Sequence, residues 1–269
     1  MSQYLEYFGF KTQPFPITIL PKNLMKLPDM VGVKDRLDYT INLGGVMLIT
    51  GEVGAGKSTA LQWAMSHYHP NELTKVEVVA NSASLNELYK QLCWALNLNV
   101  SSGSRSLLLR EIKHAIKDLV VGKKLKVLLV IDEASLLRID ILAELHTLTQ
   151  FESDTISPFA LALVGQGSLL DKLTYRNSSP LASRIVAKTH LKAITKDQMS
   201  EYVSHHLKIA GVKESLFAQD AIGAIHQGSN GLLREANNLA RGGLIAASAQ
   251  GRKVVEAEHI RIASTELLL

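Results

Sequence analysis

At 269 residues, with 46% hydrophobic and 20% charged residues, the chain can bury one large core and a smaller one, which excludes disordered, fibrous and staple-dependent mini-protein classes. The single cysteine, Cys93, excludes an internal disulfide framework or a multi-cysteine metal site and points to a reducing, cytoplasmic setting. A formal charge of +4 tilts the surface toward anionic partners, although that balance is equally common in proteins without one.

Residues 1–30 hold four of the seven prolines and the aromatics Tyr4, Tyr7, Phe8, Phe10 and Phe15, a composition that predicts an irregular arm packed onto other elements. They carry no basic segment followed by an apolar run, so no signal peptide is expected. Over residues 46–191, apolar runs at 46–49, 76–80, 127–131, 159–164 and 185–190 alternate with helical patterns. Continuous apolar strands of this kind are buried on both faces, which predicts an α/β fold with a parallel sheet covered by helices. The longest runs fall far short of the roughly 20 residues a membrane helix requires, so no span is expected. Ser84 and Glu87 form a capping-box pattern ahead of a stripe of Leu85, Leu88, Leu92 and Leu96, with Cys93 beside it as a small buried side chain. Trp63 and Trp94 lie on helical patterns and are expected in the core.

The strands stop at Thr195, where Thr195 and Gln198 make a second capping-box pattern. Four helices are expected beyond it, at 196–210, 219–227, 232–249 and 256–267. The expected organisation is an arm and linker helix packed on the core (1–45), an αβα domain (46–194) and a smaller helical domain (195–269).

Gly51-Glu52-Val53-Gly54-Ala55-Gly56-Lys57-Ser58 fits G-x-x-x-x-G-K-[ST] between an apolar strand and a helical stretch that opens at Thr59, so residues 51–59 are the candidate nucleotide contacts. Glycines let successive backbone N–H groups and the helix start face phosphate; Lys57 neutralises the β and γ phosphates, and Ser58 holds Mg²⁺. Hydrolysis also needs an acidic holder for the ion and a base for water. Asp132, at the end of the run 127–131, supplies the first through the ion's water shell, and Glu133 the second. Asn81, after the second strand, orients Glu133 if the two strands are adjacent, or else is a turn former. Gln166, after the fourth, is placed to sense the γ-phosphate. His67, His69, His205 and His206 lack carboxylates or cysteines at ligand spacing, so no metal site is expected there.

With the P-loop, Asp132-Glu133, Val164-Gly165-Gln166, Ser183-Arg184 and Gly231-Leu232-Leu233-Arg234 in this order, the chain resembles AAA+ ATPases. More narrowly it resembles the general secretion pathway A (ExeA) group and the transposition regulators of the Mu B, TniB and TnsC kind. The narrower likeness is carried by Tyr4-Leu-Glu-Tyr-Phe-Gly-Phe10 with Pro14-Phe15, Gly51 to Ser58, Ile131-Asp-Glu-Ala134, residues 145–152, Leu163-Val-Gly-Gln166 and residues 231–238. The resemblance implies a five-stranded αβα core with a helical lid, and an active site shared between neighbouring subunits of a ring or filament. It further implies that Arg184 is the arginine finger, with Arg176 as the alternative, and that Arg234 is the lid sensor. Either arginine could instead be a surface salt-bridge residue.

Members of the secretion group continue into a membrane span and a cell-wall-binding domain, whereas this chain reads as the compact form typical of transposon ATPases that bind duplex DNA and direct a transposase. Three roles therefore stand: a DNA-binding transposition ATPase, a secretion assembly ATPase, and an ATP-switched regulator with only protein partners. For DNA, the expected surface is Arg105 with Arg110, Lys113 and Lys117, which recur opposite the apolar positions Leu108, Ile112, Ala115 and Leu119. The competing account is an ordinary solvated helix face.

Overall fold

The computed structural model of the protein describes residues 3–81, 84–99, 103–151 and 159–266. In chain order the elements are α1 (Gln3–Phe8), α2 (Pro28–Leu43), β1 (Val46–Gly51), α3 (Lys57–Met65), β2 (Leu73–Val79), α4 (Leu85–Ala95), α5 (Arg105–Lys117), β3 (Lys126–Asp132), α6 (Ile139–Thr149), β4 (Ala160–Gly165), α7 (Ser168–Thr174), α8 (Ser179–Ala182), β5 (Ile185–Leu191), α9 (Lys196–Ile209), α10 (Gln219–Gly228), α11 (Leu233–Ala249) and α12 (Ala257–Glu266). The expected positions Glu152 and Leu267 lie outside the described residues. The chain forms two compact units: a sheet unit of Leu27–Gly51 and Lys57–Leu191, and a helical unit of the chain up to Lys26, Glu52–Gly56 and the chain from Lys192.

In the sheet unit all five strands run parallel in the order β2-β3-β4-β1-β5. The middle of the sheet is apolar because helices cover both faces: every residue of β1 and β4 is buried. Edge strand β2 starts at Leu73, earlier than its apolar run, because Thr74 and Lys75 keep pairing with Val127 and Leu128. An edge position tolerates those polar side chains. Leu85, Leu88, Tyr89 and Leu92 of α4 and Leu108, Ile112 and Ile116 of α5 enter the core with Val76, Leu129 and Leu161.

Cys93 is buried, and burial raises its thiol pKa, as suits a packing residue. Trp63 is buried as expected, but Trp94 is 66% exposed. Two residues beyond Leu92, it points about 200° away from the buried stripe on a 3.6-residue helix, so its helical pattern does not place it in the core.

In the helical unit, α9 opens with both bonds of the capping box: Thr195 N–H donates to Gln198 Oε1 at 2.9 Å and Gln198 N–H to Thr195 Oγ1 at 3.3 Å. At Ser84, the hydroxyl accepts from Glu87 N–H at 3.4 Å. The proline- and aromatic-rich arm packs within the helical unit. Lys11 N–H bonds Ala210 O at 2.8 Å, Arg241 Nη1 donates to Phe15 O at 3.2 Å, and Lys253 Nζ sits 3.8 Å over the Tyr7 ring. Phe15 stacks on the buried imidazole of His206, which desolvation holds down at about 4, so His206 is neutral and structural. Residues 1–45 are thus divided, the arm lying in the helical unit and α2 in the sheet unit. Thr195→Ala removes a cap and should cost about 1 kcal/mol of stability. A thermal melt that does not move would show the box to be dispensable.

Candidate nucleotide site

Asn81, Asp132, Glu133 and Gln166 lie at or just past the carboxyl ends of their strands. β1 lies between β4 and β5, with Thr50 opposite Gly165 and His190, so the loop after β1 opens at the crevice outside the carboxyl ends of the strands. Gly54 and Gly56 take φ of +85° and +91°, a region that side chains other than glycine rarely enter. Lys57 is 7% exposed, and its ammonium donates to Gly51 O at 3.0 Å, which folds it across the mouth of the loop.

Asp132 is held at both oxygens. Ser58 Oγ donates to Oδ2 at 3.0 Å, and Glu133 N–H donates to Oδ1 at 2.8 Å. A serine hydroxyl and a carboxylate converging to that distance form a hard oxygen donor pair of the kind that suits Mg²⁺. Glu133 is half-buried with φ of +53°, a left-handed conformation that a non-glycine residue enters at a cost on the order of 1–2 kcal/mol. Val79 pairs with Asp132, and Ala80 N–H bonds Asp132 O at 2.7 Å, so β2 and β3 are adjacent, as the reading of Asn81 as a partner of Glu133 requires. Asn81 is exposed, two residues past β2 on that edge; Gln166 is half-buried, just past β4.

Arg184 lies at the other end of the sheet. Its carbonyl accepts Val46 N–H at 3.0 Å, at the start of β1, and the length of β1 separates it from Gly51. At about 3.3 Å per residue that is roughly 17 Å, farther than an arginine side chain extends. Arg176 is exposed in the turn Arg176–Ser178.

In the helical unit, Arg234 is exposed in the first turn of α11, and its N–H donates to Gly54 O at 3.2 Å. A Cβ on Gly54 would lie 2.5 Å from Glu235 Oε2 and 3.1 Å from Arg234 Cβ, so the helix start and the loop apex are in direct contact.

The four cations expected to line a DNA surface are differently engaged. Arg105 pairs with Glu144, and Arg110 lies 3.3 Å from Glu111. Lys113 donates to Gln150 O at 2.6 Å and lies 5.6 Å over the Phe151 ring; burial lowers its pKa. Lys117 is exposed. Leu108 and Ile112 are buried as expected, but α5's inward stripe continues through Ile116, with Ala115 and Leu119 half-buried.

Sequence reading passed over three side chains here. His190 Nδ1 lies 3.0 Å from Thr50 Oγ1, and Lys172 donates to Ser135 O and Leu137 O at 2.6 and 2.8 Å. Both partnerships join residues far apart in the chain, so no local spacing announces them. Glu235 adjoins the expected sensor, but only the tertiary contact reveals its approach to Gly54.

Residues 41–173 match the family described as AAA domain. Those residues form an AAA domain, and the chain has the AAA+ fold. It is 30% identical to general secretion pathway protein A of Aeromonas hydrophila over 267 residues, which are 98% of this chain and 48% of that protein. It therefore spans about half the length of that curated relative. Among solved structures it is similar to Cdc6p from Pyrobaculum aerophilum, with a TM-score of 0.74 and 23% identity, covering 95% of this chain and 70% of the other. It is also similar to the Aeropyrum pernix ORC1 protein in complex with DNA, with a TM-score of 0.68 and 16% identity over 91% and 66% of the two chains. At these identities the two structures speak for the fold. No helix among the described residues is long and apolar enough to cross a membrane.

Proposed function

We propose that this AAA+ chain is an ATPase that binds and hydrolyses Mg·ATP at the strand-end site, in an assembly of copies of itself, and that its nucleotide state controls an assembly on duplex DNA. The observation that carries the hydrolytic part is Asp132, at the end of β3, fixed between Ser58 and Glu133. Loop N–H groups and Lys57 bind the phosphates, and Lys57 exchanges Gly51 O for phosphate oxygen. Ser58, and Asp132 through the ion's water shell, would hold Mg²⁺, which would offset the charge of the phosphates. Glu133 takes the proton of the attacking water, Asn81 orients Glu133, and Gln166 reads the γ-phosphate. Arg234, carried on the helix start that touches Gly54, acts as the sensor of the helical unit, residues 195–269 serving as a lid.

Duplex DNA is favoured by the similarity to the ORC1 protein solved with DNA and by the net positive charge. The transposition role implied by the resemblance draws no support from the relatives reported above, so the proposal stops at a DNA-bound assembly. A second reading, an ATPase of secretion-system assembly, is favoured by the 30% identity that runs along nearly the whole chain.

The DNA reading is tested by fluorescence anisotropy with a duplex across a salt series, in ATP and in ADP. Arg110 and Lys117 are the exposed cations to reverse; a charge at Lys113 would disturb its contact with Gln150. Arg110→Glu with Lys117→Glu should weaken ATP-dependent binding about tenfold or more and flatten its salt slope, since each subunit repeats the lost phosphate contacts. Absence of duplex binding in every nucleotide state would leave the secretion reading in its place.

A further inference from the structure

We infer that Lys172 is a positioning residue for hydrolysis, holding the loop after β3 so that Glu133 stays in its left-handed conformation. The inference rests on the assignment of Glu133 as the base.

The loop begins with Glu133 at φ +53° and continues through the single turn Ala134–Leu136. A non-glycine residue keeps such a conformation only where its surroundings over-determine it. Three contacts do so here. Ala134 is fully buried. Ser135, 7% exposed, packs so closely on β4 that a Cβ on Gly165 would lie 2.8 Å from its backbone nitrogen. Lys172 Nζ then donates to Ser135 O at 2.6 Å and Leu137 O at 2.8 Å, bridging the loop with one ammonium group. Of the three, only Lys172 is a charged group reaching in from another element, and charge-assisted bonds to two carbonyls are the strongest polar restraint on the loop.

The position of Lys172 also gives the restraint a direction. It lies on α7, which begins at Ser168, two residues after Gln166, and Leu169 N–H bonds Gln166 O at 3.0 Å. A displacement of Gln166 on loss of the γ-phosphate moves the start of α7, and Lys172 passes that movement to the loop carrying Glu133. The γ-phosphate contact and the base are thereby linked through the two carbonyls.

The test compares Lys172→Met, which keeps the aliphatic stem without donors, with Lys172→Arg, which restores donors. ATP affinity is read with a fluorescent ATP analogue and turnover by phosphate release, with Glu133→Gln alongside. Lys172→Met should keep affinity within about twofold while kcat falls about 10- to 100-fold, the loss expected when a reacting group is misplaced by an ångström or so. Lys172→Arg should recover most of that loss. Wild-type kcat in Lys172→Met, parallel loss of affinity and turnover, or no recovery by arginine overturns the positioning role. If Glu133→Gln turns over normally, the base assignment fails and the positioning role with it; an inactive Glu133→Gln beside a fully active Lys172→Met removes the positioning role alone.

Discussion

Glu133→Gln is expected to bind ATP as tightly as the parent and to hydrolyse it at least about a hundredfold more slowly, the usual size of a lost general base. Lys57→Ala is expected to lose ATP binding itself. The contrast follows from what each side chain faces. Lys57 is a nearly buried cation whose ammonium donates to the carbonyl of Gly51, an arrangement that phosphate oxygens readily displace. Glu133 is a carboxylate next to Asp132 in the chain; as the proposed base it would act on water and add no binding contact to the phosphates. The amide of glutamine keeps its size and most of its hydrogen bonds but cannot take a proton. Equilibrium binding of a fluorescent ATP analogue and steady-state phosphate release separate the two effects. Substantial turnover by purified Glu133→Gln protein would falsify the base assignment.

Much of the fold and of the candidate site is legible in the sequence, for identifiable reasons. The apolar runs of β1, β3 and β4 announce themselves because they are buried on both faces, and the P-loop and Asp132-Glu133 are contiguous in the chain. Trp94 was misplaced because a helical pattern says which residues share a face without saying which face is covered. The cationic stripe of α5 met a similar limit. Spacing brought Arg105, Arg110, Lys113 and Lys117 together as a surface, whereas Glu144 and the Gln150 carbonyl, which engage two of them, come from another stretch of chain. Lys172 was invisible for the same reason: its worth lies in two carbonyls 35 and 37 residues away. Local order in the sequence therefore discloses the groups proposed to act on the nucleotide directly, and conceals those whose contacts are with the backbone of another element.

Arg184→Ala is expected to abolish most ATP turnover while ATP binding persists, and the loss is expected to be repaired in mixtures with Lys57→Ala. Both halves depend on where β5 begins. Arg184 O pairs with Val46 N–H at the start of β1, and the loop proposed to bind phosphate follows the end of β1, about 17 Å away along the strand. Within one sheet unit the side chain cannot meet its own nucleotide, so an arginine acting at the γ-phosphate must serve a neighbour. A cation supplied in trans at that position changes kcat by as much as about 10³- to 10⁵-fold in other P-loop enzymes, which sets the scale of the loss. In a mixed assembly, a Lys57→Ala subunit donates an intact Arg184 to an Arg184→Ala neighbour whose own loop still binds ATP, and that interface regains both groups. Neither variant alone contains such an interface. Turnover measured across mixing ratios at fixed total protein should rise above both pure samples and peak between them, with co-assembly checked by light scattering. If the two proteins co-assemble and no ratio restores activity, Arg184 is not the shared cation. The same mixture made with Arg176→Ala then decides whether the exposed Arg176 fills that role.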